Sequence, residues 1–151
     1  MYSFHKFADI ATTDWLVLLN HPALKRHMPL AAGVWNEVTA AGWVAEKDRQ
    51  WQEHAYGPWA IRIDKVFAGW GGFQKEAGVA DLALVLLPKF WGHGGAVLRT
   101  LLQRRAELHI DIVTILLPPS RTKTKALQRF GFHPAGSVDY DGQHFLKFQL
   151  S

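Results

Sequence analysis

The chain has 151 residues, of which 48% are hydrophobic and 20% charged, enough apolar mass for one soluble domain with a full buried core. It contains no cysteine, which excludes disulfides, thiolate metal sites and cysteine nucleophiles. The net charge of +4 is scattered over small clusters at Lys25-Arg26, Arg104-Arg105 and Arg121 to Lys125. No helix carries a continuous basic stripe, so a solvated surface is favoured over a nucleic-acid partner.

The N-terminus, Met1 to Lys6, lacks the basic-then-apolar order of a signal peptide, and "WLVLL" (Trp15 to Leu19) is too short for a membrane span. The expected compartment is the cytoplasm, with no membrane partner. "YSFHKF" alternates in character and predicts a first strand. Thr12, Thr13 and Asp14 offer N-caps for a helix over Trp15 to Leu19, broken near Pro22 in "HPALKRHMP". Val34, Val38, Ala41 and Ala45 recur at helical spacing, with Trp35, Trp43 and Trp51 on or near the same stretch.

"WAIRID" and "KVFAGWGGFQK" read as strands joined by a turn at Asp64-Lys65, and "QKEAGVAD" turns into the strand "DLALVLL". Short connections make these three an antiparallel meander. After Pro88, Val97, Leu98, Leu101, Leu102 and Leu108 give one apolar helical face from Ala96. The β-branched run "IDIVTILL" is typical of a buried strand. Strand, glycine loop, helix and strand in that order form a crossover whose two strands should be parallel. Ser120 can cap a last helix that stops at Gly131, and Asp141-Gly142 marks a turn between closing strands in "FHPAGSV" and "HFLKFQL". The expected architecture is a single α/β domain over residues 1–151 with a mixed sheet.

Gly92, Gly94 and Gly95 sit where the strand ends and the helix begins, although each glycine costs a helix about 1 kcal/mol relative to alanine. A helix N-terminus exposes unpaired N–H groups and carries partial positive charge, and small residues let an anion approach them. A phosphate-binding P-loop is excluded because no lysine follows at the required place. A dinucleotide fingerprint also fails: its third glycine would fall at Val97, and Asp111 opens its strand instead of closing it.

"WGHGGA" resembles the [QR]-x-x-G-x-[GA] pyrophosphate arm of acyl-CoA sites from its second residue on, with Trp91 in place of the usual glutamine or arginine. "DLALVLLPKFWGHGGA" is similar to the pattern E-[IL]-[GA]-[YL]-x-[LV]-x-P-x-[YF]-W-G-x-G-x-A. That pattern is favoured in the GNAT superfamily of acyl-CoA-dependent N-acetyltransferases, in the branch that includes the ribosomal-protein N-terminal acetyltransferases. "HPALKRHMP", "SRTKTKALQRFGF" and "YDGQHFLKFQL" resemble further segments of that branch in the same order, so the likeness spans essentially the whole chain.

The resemblance implies a mostly antiparallel sheet of six to seven strands with a splayed parallel pair. It implies direct attack of an amine on acetyl-CoA, with no metal. The backbone of Leu84, Val85 and Leu86 would pair with pantetheine, the N–H of Leu86 facing the acetyl oxygen. The loop of Trp91, Gly92, His93, Gly94, Gly95, Ala96 and Val97 would hold the pyrophosphate. Asp81 matches the branch's acidic residue and is the candidate base, with a plain strand-end aspartate as the alternative. Ser120 stands where the branch has asparagine and is the second catalytic candidate, with a simple helix cap as its alternative. Two residues used by other members are replaced, by Ile115 and Leu127, and Lys123 replaces a serine. The acceptor would be a small-molecule amine or a peptide N-terminus, and a homodimer stays open. The rival reading is a degenerate domain that binds acyl-CoA as a sensor or interaction module.

Overall fold

The computed structural model describes residues 1–25, 33–119 and 125–151. The segment of "HPALKRHMP" from Arg26 on, Ser120 and Lys123 lie outside the described residues. A seven-stranded sheet carries the fold: β1 (Tyr2–His5), β2 (Pro58–Ile63), β3 (Val66–Glu76), β4 (Val79–Leu86), β5 (Val113–Leu117), β6 (His133–Tyr140) and β7 (Gln143–Leu150). Its order is β1-β2-β3-β4-β5-β7-β6, antiparallel throughout except for the β4–β5 pair. The mixed sheet, the meander and the parallel crossover expected from the sequence are all present.

The hairpin turns follow from local chemistry. Asp64-Lys65, Ala77-Gly78 and Asp141-Gly142 each place two consecutive residues at positive φ, the type I′ geometry whose twist matches the flanking strands. The helices are α1 (Thr12–Leu19), α2 (Pro22–Lys25), α3 (Glu37–His54), α4 (Gly94–Arg104) and α5 (Lys125–Arg129). Pro22 opens α2, where its missing N–H costs nothing. Thr12 to Asp14 are not caps for α1 as expected. They form its first turn, and Ala11 stands at the N-cap without a side-chain bond. Asn36 and Thr39 instead make a reciprocal capping box for α3.

The apolar spacing of Val34, Val38, Ala41 and Ala45 identifies the helix but not its buried side. Val34 and Val38 are more than four-fifths exposed, and Ala41 and Ala45 are exposed as well. Ala40, Trp43 and Val44 face the sheet instead, because the larger indole removes more apolar area from water than a valine does. Helix α4 buries Val97, Leu98 and Leu101 as the sequence predicts, although it begins at Gly94 rather than at Ala96 and ends at Arg104, before Leu108.

Two cores sandwich the sheet. One packs α4 and α5 on one face through Val97, Leu101, Leu127, Phe73, Leu82 and Phe148. The other packs α1 to α3 on the opposite face around the fully buried Trp15 and Phe7, whose rings stack at 4.5 Å. Among the described residues no helix is long and apolar enough to cross a membrane.

Candidate active site

Strands β4 and β5 touch only at their starts. Ala80 pairs with Val113 and Asp81 with Thr114, and no further pair forms between them. Beyond that point β4 stays with β3 as far as Leu86, while β5 stays with β7 as far as Leu117. The sheet therefore opens into a wedge with its vertex at Asp81 and Thr114. The N–H of Leu87 donates to the Ala68 carbonyl at 2.8 Å, which turns the backbone of Val85 and Ala83 toward β3 as well. Their carbonyls do approach Gly69 and Gly71 on β3. Alternation then points the backbone polar groups of Leu84 and Leu86 into the wedge. Of the three residues expected to line it, Val85 turns its backbone to β3 and packs its side chain against the core around Trp15 and Trp70.

Gly69 makes this arrangement possible. It holds φ at +152°, and a β-carbon there would lie 1.9 Å from the Val85 carbonyl oxygen. At the wedge's upper end, the Leu86 carbonyl accepts the Trp91 indole N–H at 2.7 Å. This bond ties the loop to the strand end and leaves the Leu86 N–H beside it.

Residues Pro88–His93 form a 3-10 turn that runs straight into α4. The Gly94 N–H is taken by the Trp91 carbonyl, and helix geometry places the Val97 N–H in the α4 ladder while its side chain is fully buried. The amide bed expected across Gly92 to Val97 thus narrows to Gly95 and Ala96, whose N–H groups have no intrahelical acceptor. The His93 ring turns away to meet the Tyr2 hydroxyl at 3.0 Å, anchoring the loop to β1. Among the described residues, a β-carbon at Gly92, Gly94 or Gly95 would meet nothing within 4 Å, and none of the three needs a positive φ. Neither internal packing nor backbone strain requires glycine there.

Asp81 sits at the vertex. Its carboxylate is largely buried and accepts the Thr114 hydroxyl at 2.9 Å. Burial pushes its pKa up to about 7, helped by the Glu76 carboxylate and opposed by the Thr114 bond and Lys147. A carboxylate that titrates near neutrality can both take and release a proton under ordinary conditions. Thr114 itself is buried and polar, and the sequence reading missed it; its only signal was a threonine inside a β-branched run.

The remaining residues separate clearly. Ile115 and Leu127 are core residues. His144 pairs with Asp139 at 2.9 Å on the exposed β6–β7 hairpin. Trp35 and Trp43 join Trp70 on the face covered by α3, whereas Trp51 packs over Gly57 and donates to the Pro58 carbonyl. Sequence reading also missed Arg99 and Arg129. They line a groove of about 320 Å³ with Gly95, Ala126 and Phe130, and the Arg99 guanidinium lies 5.8 Å from the Phe130 ring centre. For Arg99 the signal lay in the helical spacing that puts it one turn beyond Gly95; Arg129, on α5, had no such local signal.

No family model matches the sequence, and no curated protein matches it. Solved structures do. RimL, the ribosomal L7/L12 α-N-protein acetyltransferase in complex with coenzyme A, superposes with a TM-score of 0.80 at 16% identity, over 98% of this chain and 92% of that one. The microcin C7 self-immunity acetyltransferase MccE, solved with acetyl-CoA and AMP, gives 0.78 at 15% identity over 98% and 91%. A GNAT-family acetyltransferase from Bacillus anthracis gives 0.70 at 15% over 98% and 92%. Wedge, crossover helix and full-length superposition agree: the chain has the GNAT acetyltransferase fold.

Proposed function

We propose that residues 1–151 form one acetyl-CoA-dependent N-acetyltransferase domain that acts on a primary amine, of the branch typified by ribosomal-protein N-terminal acetyltransferases. The observation that carries this reading is the wedge, where the backbone groups of Leu84 and Leu86 face a gap between two strands instead of a partner strand. Acetyl-CoA supplies the activated acetyl thioester. The Leu84 and Leu86 backbone hydrogen-bonds the pantetheine arm, which runs down the wedge and carries the thioester toward the vertex at Asp81. Gly95 and Ala96 offer amides to the pyrophosphate, with Gly92 and Gly94 keeping its approach clear. Arg99 and Arg129 hold the remaining phosphate charge. Asp81, through a water, takes the proton that an ammonium acceptor must lose before its nitrogen can attack.

A binding-only domain was the rival reading, motivated by Ile115 and Leu127. The near-neutral Asp81 at the vertex favours the enzyme, because direct attack needs one proton acceptor and little else. Two measurements test this. Thermal melts with acetyl-CoA should show stabilisation of about 2.7 kcal/mol at a hundred times the dissociation constant. Release of free thiol in the presence of an amine panel should then show turnover. Stabilisation without turnover on any amine supports the sensor, and no stabilisation at all overturns both. Gly94→Glu places a carboxylate in the cradle and should abolish the acetyl-CoA shift.

A further inference from the structure

Lys47 projects from α3 onto the sheet face opposite α4. Its ammonium lies 5.5 Å from the Trp43 ring centre and 5.0 Å from that of Trp70, and it donates to the Gln74 side-chain oxygen. Gln50 donates to the same oxygen at 3.3 Å. Among the described residues no carboxylate lies within ion-pair distance of Lys47. Its pKa is lowered by burial, against the weaker opposing pull of Glu46 and Glu76. This is a half-buried cation whose direct hydrogen-bond and ring partners are neutral, an arrangement that an arriving anion would stabilise.

The surrounding polar atoms point the same way. Among the described residues, the indole N–H groups of Trp35 and Trp70 are buried without acceptors, and Gln50 Oε1 is buried without a donor. With one ammonium N–H spent on Gln74, Lys47 has two more to offer. The cluster therefore holds more spare donors than acceptors. Water could satisfy donors, but it brings no negative charge to balance the ammonium.

The cluster also adjoins the wedge. Gln74 pairs directly with Asp81 across β3 and β4, and Trp70 pairs with Val85. Ala83 and Val85 pack against the same tryptophans. One shared neighbour, Gln74, thus separates the Lys47 ammonium from the carboxylate assigned as proton acceptor.

We propose that Lys47, with the indole N–H of Trp70 beside it, is the subsite for a carboxylate on the acceptor, so that the amine substrate belongs to the α-amino-acid class. This rests on the acetyltransferase reading above. An α-amino acid carries an ammonium and a carboxylate together, and Asp81 and Lys47 offer the complementary pair around Gln74. The carboxylate restores a counter-ion to Lys47 while the amine faces Asp81. Polyamines, and acceptors carrying several ammonium groups, meet a like charge at the same point and are disfavoured.

The test compares binding, so it does not depend on turnover. Phenylalanine, leucine, methionine and serine, each against its own carboxamide, and spermidine are titrated into protein saturated with coenzyme A, with tryptophan fluorescence as the readout. At least one amino acid should bind tenfold or more tighter than its carboxamide, with spermidine weaker still. Lys47→Met should erase the acid-over-amide preference, and Lys47→Arg should retain most of it. Equal affinity for acid and amide, tighter spermidine binding, or no binding by any amino acid overturns the proposal. Should Lys47→Met fail to fold, the wild-type acid-to-amide ratio and Lys47→Arg still decide it. Failure of the underlying reading shows separately, as the absence of a coenzyme A thermal shift.

Discussion

Asp81 illustrates how one side chain links stability to chemistry. Its folded pKa of about 7 lies well above the ordinary carboxylate value of 3.8, chiefly because burial penalises the charged form. The folded state therefore binds this proton more tightly than the unfolded chain does. The resulting stability is complete below about pH 4 and is lost as pH rises to about 7, beyond which the curve flattens. Asp81→Asn should remove that dependence and raise stability at pH 8 by roughly 1–3 kcal/mol, measured by denaturant melts at several pH values. Activity should move the other way. Wild-type turnover should climb with pH and level off above about 7, whereas Asp81→Asn should lose about 10²–10⁴ in kcat and show no such inflection. A stable variant with unaltered kinetics would remove Asp81 from the mechanism.

At the scale of the element, α4 sets helix propensity against access. Gly95 has an open surround and ordinary helical geometry, so Gly95→Ala should stabilise the fold by up to about 1 kcal/mol. Its new methyl enters the groove shared with Arg99 and Arg129, and acetyl-CoA affinity should fall. Opposite signs in a melt and a binding titration would identify the glycine as functional. Arg99→Ala and Arg129→Ala should each weaken coenzyme A by about 1–3 kcal/mol, as a lost charge-assisted bond does. Calorimetry with dephospho-coenzyme A should show a smaller loss if either arginine reads the ribose phosphate. For α3, the helical period was legible in its residues but not the bounds, since Val34 lies before the start of the helix at Glu37. Which stripe faced inward was not legible either, because Val38 and Trp43 are both apolar and only the shape of the sheet face selects the indole.

Across the whole molecule, β1 to β4 and β5 to β7 form two half-sheets joined by two residue pairs. A ligand lying between them should behave as a structural bridge. Saturating acetyl-CoA should raise the melting temperature by about 2–4 °C for each kcal/mol of binding linkage in a chain of this size. Amide hydrogen exchange should slow at Leu84, Leu86, Gly95 and Ala96 before it slows elsewhere. Protection that skips Leu84 and Leu86 would count against pantetheine in the wedge.

The order of elements, the turns at Asp64-Lys65 and Asp141-Gly142, the parallel crossover and the glycine-rich loop were all readable from residue order. Each depends on chemistry confined to a few neighbouring positions: φ preference, apolar period, or a missing β-carbon. What folding alone decided was the point of divergence at Asp81 and Thr114, the burial that lifts that carboxylate toward neutrality, and the meeting of Lys47 with Trp43, Trp70 and Gln74. Those depend on how far apart strands lie and how much water is excluded between them, and both follow from packing between distant segments that no local pattern encodes.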